Sequence, residues 1–154
     1  MSVPKIKSAT FSNRKKEINV IYATGKEATV HYGSLGISKG IQEVWVDKET
    51  GNRSLGMRFE DGTADYMPSD QPLFLIKDPE YMLQDHIEHI IARINKELSR
   101  KKVSKKHLAR CLKTSDNQIQ RLLNPALVNK NLSQIYKVAS LLNLRFEMSV
   151  TSER

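Results

Sequence analysis

Between Lys5 and Ile76, apolar and polar residues alternate in short runs broken by turn-forming residues, the pattern of an antiparallel β module. The alternation predicts strands at Ile6 to Phe11, Glu17 to Ala23, Ala28 to Tyr32, Gln42 to Asp47, Ser54 to Phe59 and Thr63 to Met67. Thr24-Gly25, the stretch from Gly33 to Gly40, Thr50-Gly51-Asn52 and Asp61-Gly62 supply residues that tolerate positive φ, as tight reversals require. A small sheet or barrel is expected. Its aromatic residues Tyr22, Tyr32, Trp45, Phe59 and Tyr66 fall on strands, where core or cross-strand packing is the expected role rather than a base-stacking platform.

The period changes after Gln71 to Pro79. Asp78-Pro79-Glu80 reads as a helix start, with Pro in the first turn and carboxylates facing the amino-terminal dipole. The boundary is placed there, giving a β module over residues 1–78 and a helical domain over residues 79–154. Leu83, Ile87, Ile90, Ile91, Ile94 and Leu98 recur at helical spacing and predict an amphipathic helix of about five turns. VSKKHLARCLKTSDNQIQRLLNP, residues 103 to 125, then reads as two short helices joined by a tight turn near Lys113, with Ser104 capping the first and Ser115 or Thr114 the second. Leu108, Leu112, Ile119, Leu122 and Leu123 face inward in this scheme, and Ala109 marks the close approach of the two helices. At the end of the chain, Leu144, Phe146, Met148 and Val150 alternate with Arg145, Glu147 and Ser149, which predicts a closing strand paired with the β module or with a second subunit.

Charge sharpens this picture only once it is located. The net charge is +8, but residues 1 to 79 carry 11 Lys and Arg against 10 Asp and Glu, whereas residues 80 to 154 carry 14 against 7. Within residues 93 to 145, 13 basic groups face only Glu97 and Asp116, a concentration suited to a phosphate backbone. The two-helix segment leaves Asp116, Asn117, Gln118, Gln120 and Arg121 outward. Asn and Gln can pair bidentately with adenine, and Arg with guanine, in the major groove. Lys101, Lys102, Lys105, Lys106 and Lys130, with Ser104 and Ser115 at the helix starts, are the expected phosphate contacts.

These residues carry a resemblance. From about Tyr81 to Val150 the chain resembles the lambda-repressor-like helix-turn-helix of the Xre family, matching it at Ala109, at Ile119, in QRLLNP and in LSQIYKVASLLNLRFEMSV, which is similar to the fourth helix and closing strand of antitoxin-type members. The resemblance implies an all-α domain of four or five helices with a closing strand; with the small antiparallel β module read from the alternation before it, the expected fold class is α+β. It implies dimeric binding to double-stranded DNA, with contacts from Lys105, Lys106, Asp116, Asn117, Gln118, Gln120 and Arg121. Lys113 departs from the pattern, because the family usually has Gly at that turn, and a lysine held at positive φ there costs about 1 kcal/mol.

Other chemistry is weaker. His86 and His89 lie three residues apart beside Asp85 and Glu88, but a structural metal site needs about four ligands, and DHIEH reads as a polar helix flank. His107 and Cys111 have the spacing of packed or surface helix neighbours rather than of a nucleophile and its base. Asp61, Asp65 and Asp70 read as turn and cap residues. The single cysteine forms no internal disulfide, and the chain lacks an apolar run of membrane-spanning length and a secretory signal. The expectation is a cytoplasmic, non-enzymatic transcriptional regulator without cofactor, metal or membrane association, from a prokaryote or phage and nucleoid-associated when bound to DNA. It is a homodimeric repressor of a palindromic operator read through residues 115–123. The alternative is an antitoxin or adaptor whose β module binds a protein partner such as a toxin while the helix-turn-helix autoregulates.

Overall fold

A computed structural model describes residues 3–152 of the chain, which divides into two compact units, one reaching Met82 and the other starting at Leu83. In the first unit, β1 (Ile6–Ser12), β2 (Glu17–Tyr22) and β3 (Glu27–His31) form one antiparallel sheet in that order. β4 (Ile41–Val46), β5 (Ser54–Phe59) and β6 (Ala64–Pro68) form a second. Strand alternation decides the core: Ile18, Val20 and Tyr22 of β2, Ala28 and Val30 of β3, and Leu55, Met57 and Phe59 of β5 are all buried. Cross-strand pairs knit them, Ile18 lying opposite both Phe11 and Val30, and Val20 opposite both Ala9 and Ala28.

The architecture differs from the expected order of a β module followed by an all-α domain. The described residues form an α+β fold of two three-stranded antiparallel sheets and five helices, with helical elements interleaved among the strands. A 3-10 turn (Tyr32–Leu35) separates β3 from β4, and α1 (Gln71–Leu75) follows β6 and buries Pro72 and Leu73 in the first unit. With five residues, α1 is too short to show a helical period, and its proline fits the first turn, where no N–H is needed. The expected pairing of a closing strand with the β module is not found either: among the described residues, 144–150 pair with no strand. Phe146 instead meets Tyr136 edge-on at 4.8 Å, and Met148 and Val150 are exposed. Alternation makes a strand only where another edge offers its backbone groups.

The aromatic residues divide between the two faces of the first unit. Tyr22, Tyr32 and Phe59 are core, but Trp45 and Tyr66 lie on the outer face of the second sheet, where their rings meet edge-on at 5.8 Å and Tyr66 is 56% exposed. Gly56 lies between them in the register, paired with both. The indole covers its backbone so closely that a Cβ there would fall 2.1 Å from Trp45 Cε2. Gly56→Ala must therefore lift the indole away, and the overpacking is expected to lower unfolding stability by about 1–3 kcal/mol. Denaturant titration followed by Trp45 fluorescence checks this; an unchanged midpoint would refute the packing argument.

The second unit is helical: α2 (Pro79–Arg100), whose first turn belongs to the first unit, α3 (Lys105–Cys111), α4 (Asp116–Leu122) and α5 (Leu132–Leu141). Ile87, Ile91, Ile94 and Leu98 of α2 pack with Leu108, Ile119, Leu122, Ile135, Val138 and Leu142. Leu83, at the start of the predicted apolar stripe, is half exposed.

α1, α2, α3 and α5 end alike. The residues that close them, Lys77, Lys102, Lys113 and Asn143, sit at φ 55, 54, 54 and 55. In each case the next amide donates back to a carbonyl in the last turn: Asp78 to Leu73 at 3.0 Å, Val103 to Leu98 at 3.0 Å, Thr114 to Ala109 at 2.9 Å and Leu144 to Ala139 at 2.8 Å. These are Schellman closures made without glycine. A lysine in the left-handed region costs about 1 kcal/mol, offset by roughly 0.3–1 kcal/mol from its charge at the helix carboxyl end. Lys113→Gly, which relieves the strain but also removes the charge, is thus expected to raise stability by about 0–0.7 kcal/mol, read as an equal or higher denaturation midpoint; a lower midpoint would contradict the assignment of strain.

Candidate nucleic-acid interface

α3 and α4 are positioned by their caps and their shared interior. The Ser104 hydroxyl accepts from the His107 amide at 3.0 Å, and the Ser115 hydroxyl from the Gln118 amide at 3.2 Å, so each serine starts its helix by satisfying an orphan donor. Leu108, Ala109, Ile119, Leu122 and Leu123 are buried, with Leu112 half-buried, and Lys113 makes the turn in the left-handed conformation. Asn95 of α2 donates to the Leu123 carbonyl at 3.1 Å and ties down the far end of α4. One face of α4 is thereby locked, and Asp116, Asn117, Gln118, Gln120 and Arg121 are all exposed on the other.

The segment after α4 folds back to make a polar cleft of about 880 Å³, lined by Asn117, Gln118, Gln120 and Arg121 together with Asn124, Asn129, Lys130, Asn131 and Gln134. Two asparagines shape its wall. Asn124 Oδ1 accepts from the Ala126 amide at 3.0 Å, and Asn131 caps α5 by accepting from the Gln134 amide at 3.2 Å. Lys130 is half-buried, and its Nζ donates to the carbonyls of Arg121 at 2.6 Å and Asn124 at 2.7 Å, closing the carboxyl end of α4. Burial, with the Arg121 charge nearby, pushes its ammonium below the ordinary lysine value.

The expected phosphate contacts are therefore not equivalent. Lys102, Lys105 and Lys106 are exposed, as are Ser104 and Ser115, although both hydroxyls already serve as caps. Lys130 is spent on backbone carbonyls. Lys101 turns inward, its Nζ donating to the Leu142 carbonyl and lying 3.9 Å from Glu97. The side chains that sequence reasoning missed are Asn124, Asn129, Asn131 and Gln134; the density of amides in NPALVNKNLSQ was the available signal.

Glu97 is only 5% exposed and meets Arg100 at 2.9 Å and Arg93 at 3.5 Å, one acid within the basic stretch. Hydrogen bonding from Arg100 holds its carboxyl below the ordinary range against the opposing effect of burial, with Arg93 and Lys101 adding to the pull. Because the folded value lies below the unfolded one, ionised Glu97 stabilises the fold above an ordinary glutamate value of about 4.3, and this stability disappears as pH falls through the lowered folded value. Stability against pH should accordingly be flatter for Glu97→Gln than for the wild type below about pH 4.3. Parallel curves would show that the pairing contributes nothing.

The remaining sequence candidates lie elsewhere. His89 Nδ1 is 2.8 Å from the Asp85 carbonyl and 3.5 Å from its carboxylate. Among the described residues no group of three or more His, Cys, Asp or Glu is placed to hold a metal ion. Cys111 Sγ lies 3.4 Å from His107 Nε2 on the exposed side of α3. Asp61 forms a turn with Thr63, accepting from its amide at 3.0 Å, and pairs with Lys39. No helix among the described residues is long and apolar enough to cross a membrane. In comparisons with known proteins, no family model, no curated protein and no solved structure matches this chain.

Proposed function

We propose that the chain is a sequence-specific, double-stranded-DNA-binding transcriptional regulator of the Xre type, a repressor that engages a palindromic operator as a homodimer through residues 115–123. The observation that carries the reading is α4 itself: a buried Ile119 and Leu122 fix its inner face, while Asn117, Gln118, Gln120 and Arg121 stand exposed on the outer one. Such a helix presents bidentate base-edge partners on a rigid support. Exposed Lys102, Lys105 and Lys106 supply sequence-independent attraction for phosphates. The second unit also exposes Leu132, Tyr136, Leu141 and Met148, apolar surface that a second copy would cover in a two-fold complex. The reading is of a binding protein without cofactor, cytoplasmic and nucleoid-associated in a prokaryote or phage.

The test is binding of the full chain to its own promoter region across a salt series, with unrelated competitor DNA present. Tight binding that resists competitor supports the proposal. Weak binding that falls steeply with salt and is erased by competitor would reduce the basic unit to a non-specific anchor.

A second reading, an antitoxin or adaptor whose first unit grips a protein partner, is favoured by one observation. The outer face of β4, β5 and β6 displays Trp45 and Tyr66 beside Arg58, whose guanidinium lies 5.7 Å from the indole centroid, a set of side chains common at protein interfaces. Under this reading, a variant lacking Arg121 loses DNA but keeps its protein partner.

A further inference from the structure

The cleft beside α4 has a lopsided chemistry that bears on which bases it reads, an argument that rests on the function proposed above. Its free recognition groups are five amides, on Asn117, Gln118, Gln120, Asn129 and Gln134, and one guanidinium, on Arg121. None of these six side chains has a hydrogen-bond or ion-pair partner within the described residues. The lysine of the cleft is withdrawn, its Nζ being held by the Arg121 and Asn124 carbonyls. It does not compete as a second cationic reader.

An amide presents one donor and one acceptor side by side, which complements the N6 donor and N7 acceptor of adenine. Against guanine, whose major-groove edge offers only acceptors, the amide oxygen meets O6 or N7 without a proton between them, leaving a desolvated acceptor unpaired. A guanidinium has donors only and prefers guanine for the same reason. The loop and the start of α5 extend the amide surface beyond α4, so Asn129 and Gln134 lie where they can read positions next to those under the helix.

We infer that the operator half-site is dominated by A·T pairs, with a single specified G·C pair read by Arg121, and that Asn129 and Gln134 are specificity-determining residues outside the recognition helix.

Selection of bound duplexes from a randomised library with the full-length chain tests this. The expected consensus is rich in A·T with one fixed G·C position per half-site. Arg121→Ala should lose preference at that position alone, whereas Gln118→Ala and Asn129→Ala should each lose preference at an A·T position, with affinity for the selected site falling roughly 5- to 150-fold for each bidentate contact removed. All three changes are at exposed positions, and helical circular dichroism verifies that each variant is folded. A consensus dominated by G·C, an Arg121→Ala effect at an A·T position, or an Asn129→Ala profile identical to the wild type would overturn the inference while DNA reading through α4 stands. Failure to enrich any duplex would remove both together.

Discussion

Replacing Gln118 and Arg121 together by alanine is expected to reduce affinity for the operator by about 2–6 kcal/mol, from two bidentate contacts of roughly 1–3 kcal/mol each. Affinity for competitor DNA should scarcely change, because one positive charge is lost from a strongly basic unit. Lysine removal predicts the opposite signature. Lys105→Ala with Lys106→Ala should weaken binding to every sequence alike and make the salt dependence shallower, by about 0.9 in log–log slope for each phosphate contact removed. The contrast follows from the structure: Gln118 and Arg121 line the cleft, while the two lysines project from the first turn of α3. Fluorescence anisotropy with specific and competitor duplexes separates the two cases. If the double alanine variant weakened both duplexes equally, α4 would be an electrostatic contact and not a reader.

Local physics was legible in the chain, and partner choice was not. Each strand lies within a residue or two of where alternation places it, β5 at Ser54–Phe59 without adjustment, because period-two burial and turn residues act over a few positions. The Ser104 cap was equally readable, and Ser115 was one of two candidates beside Thr114, since a cap depends on its immediate neighbours, whereas the left-handed Lys113 was expected only from the resemblance, which has glycine at that turn. Alternation says nothing about which strands pair, so the division into two sheets was invisible, as was the outward turn of Trp45 over Gly56. The same blindness bears on Leu144 to Val150, which alternate but find no strand edge among the described residues. Within the candidate site, basic charge singled out Lys101 and Lys130 as phosphate contacts, yet both ammonium groups bond to backbone carbonyls at helix ends, a choice set by tertiary proximity.

The largest loss of stability should come from a side chain that faces away from DNA. Ile119 has no exposed surface and packs in the cluster formed by α2, α3 and α5. Ile119→Ala removes its buried methyl groups and leaves a cavity, at a cost of about 2–5 kcal/mol, whereas Ile119→Val should cost about 0.5–1.5 kcal/mol. For a unit of this size each kilocalorie lowers the melting temperature by about 4–8 °C, so the alanine variant should lose helical circular dichroism at least about 8 °C below the wild type. The sole tryptophan, Trp45, is in the first unit and reports on a different part of the chain. Operator binding should fall with the helical signal although every base-facing atom is retained, because Gln118 and Arg121 are aimed by the buried face of α4. An alanine variant that melts with the wild type would show that Ile119 does not anchor α4, and rigidity would then have to come from buried Leu122 and Leu123, the Ser115 cap and the Asn95 bond to Leu123.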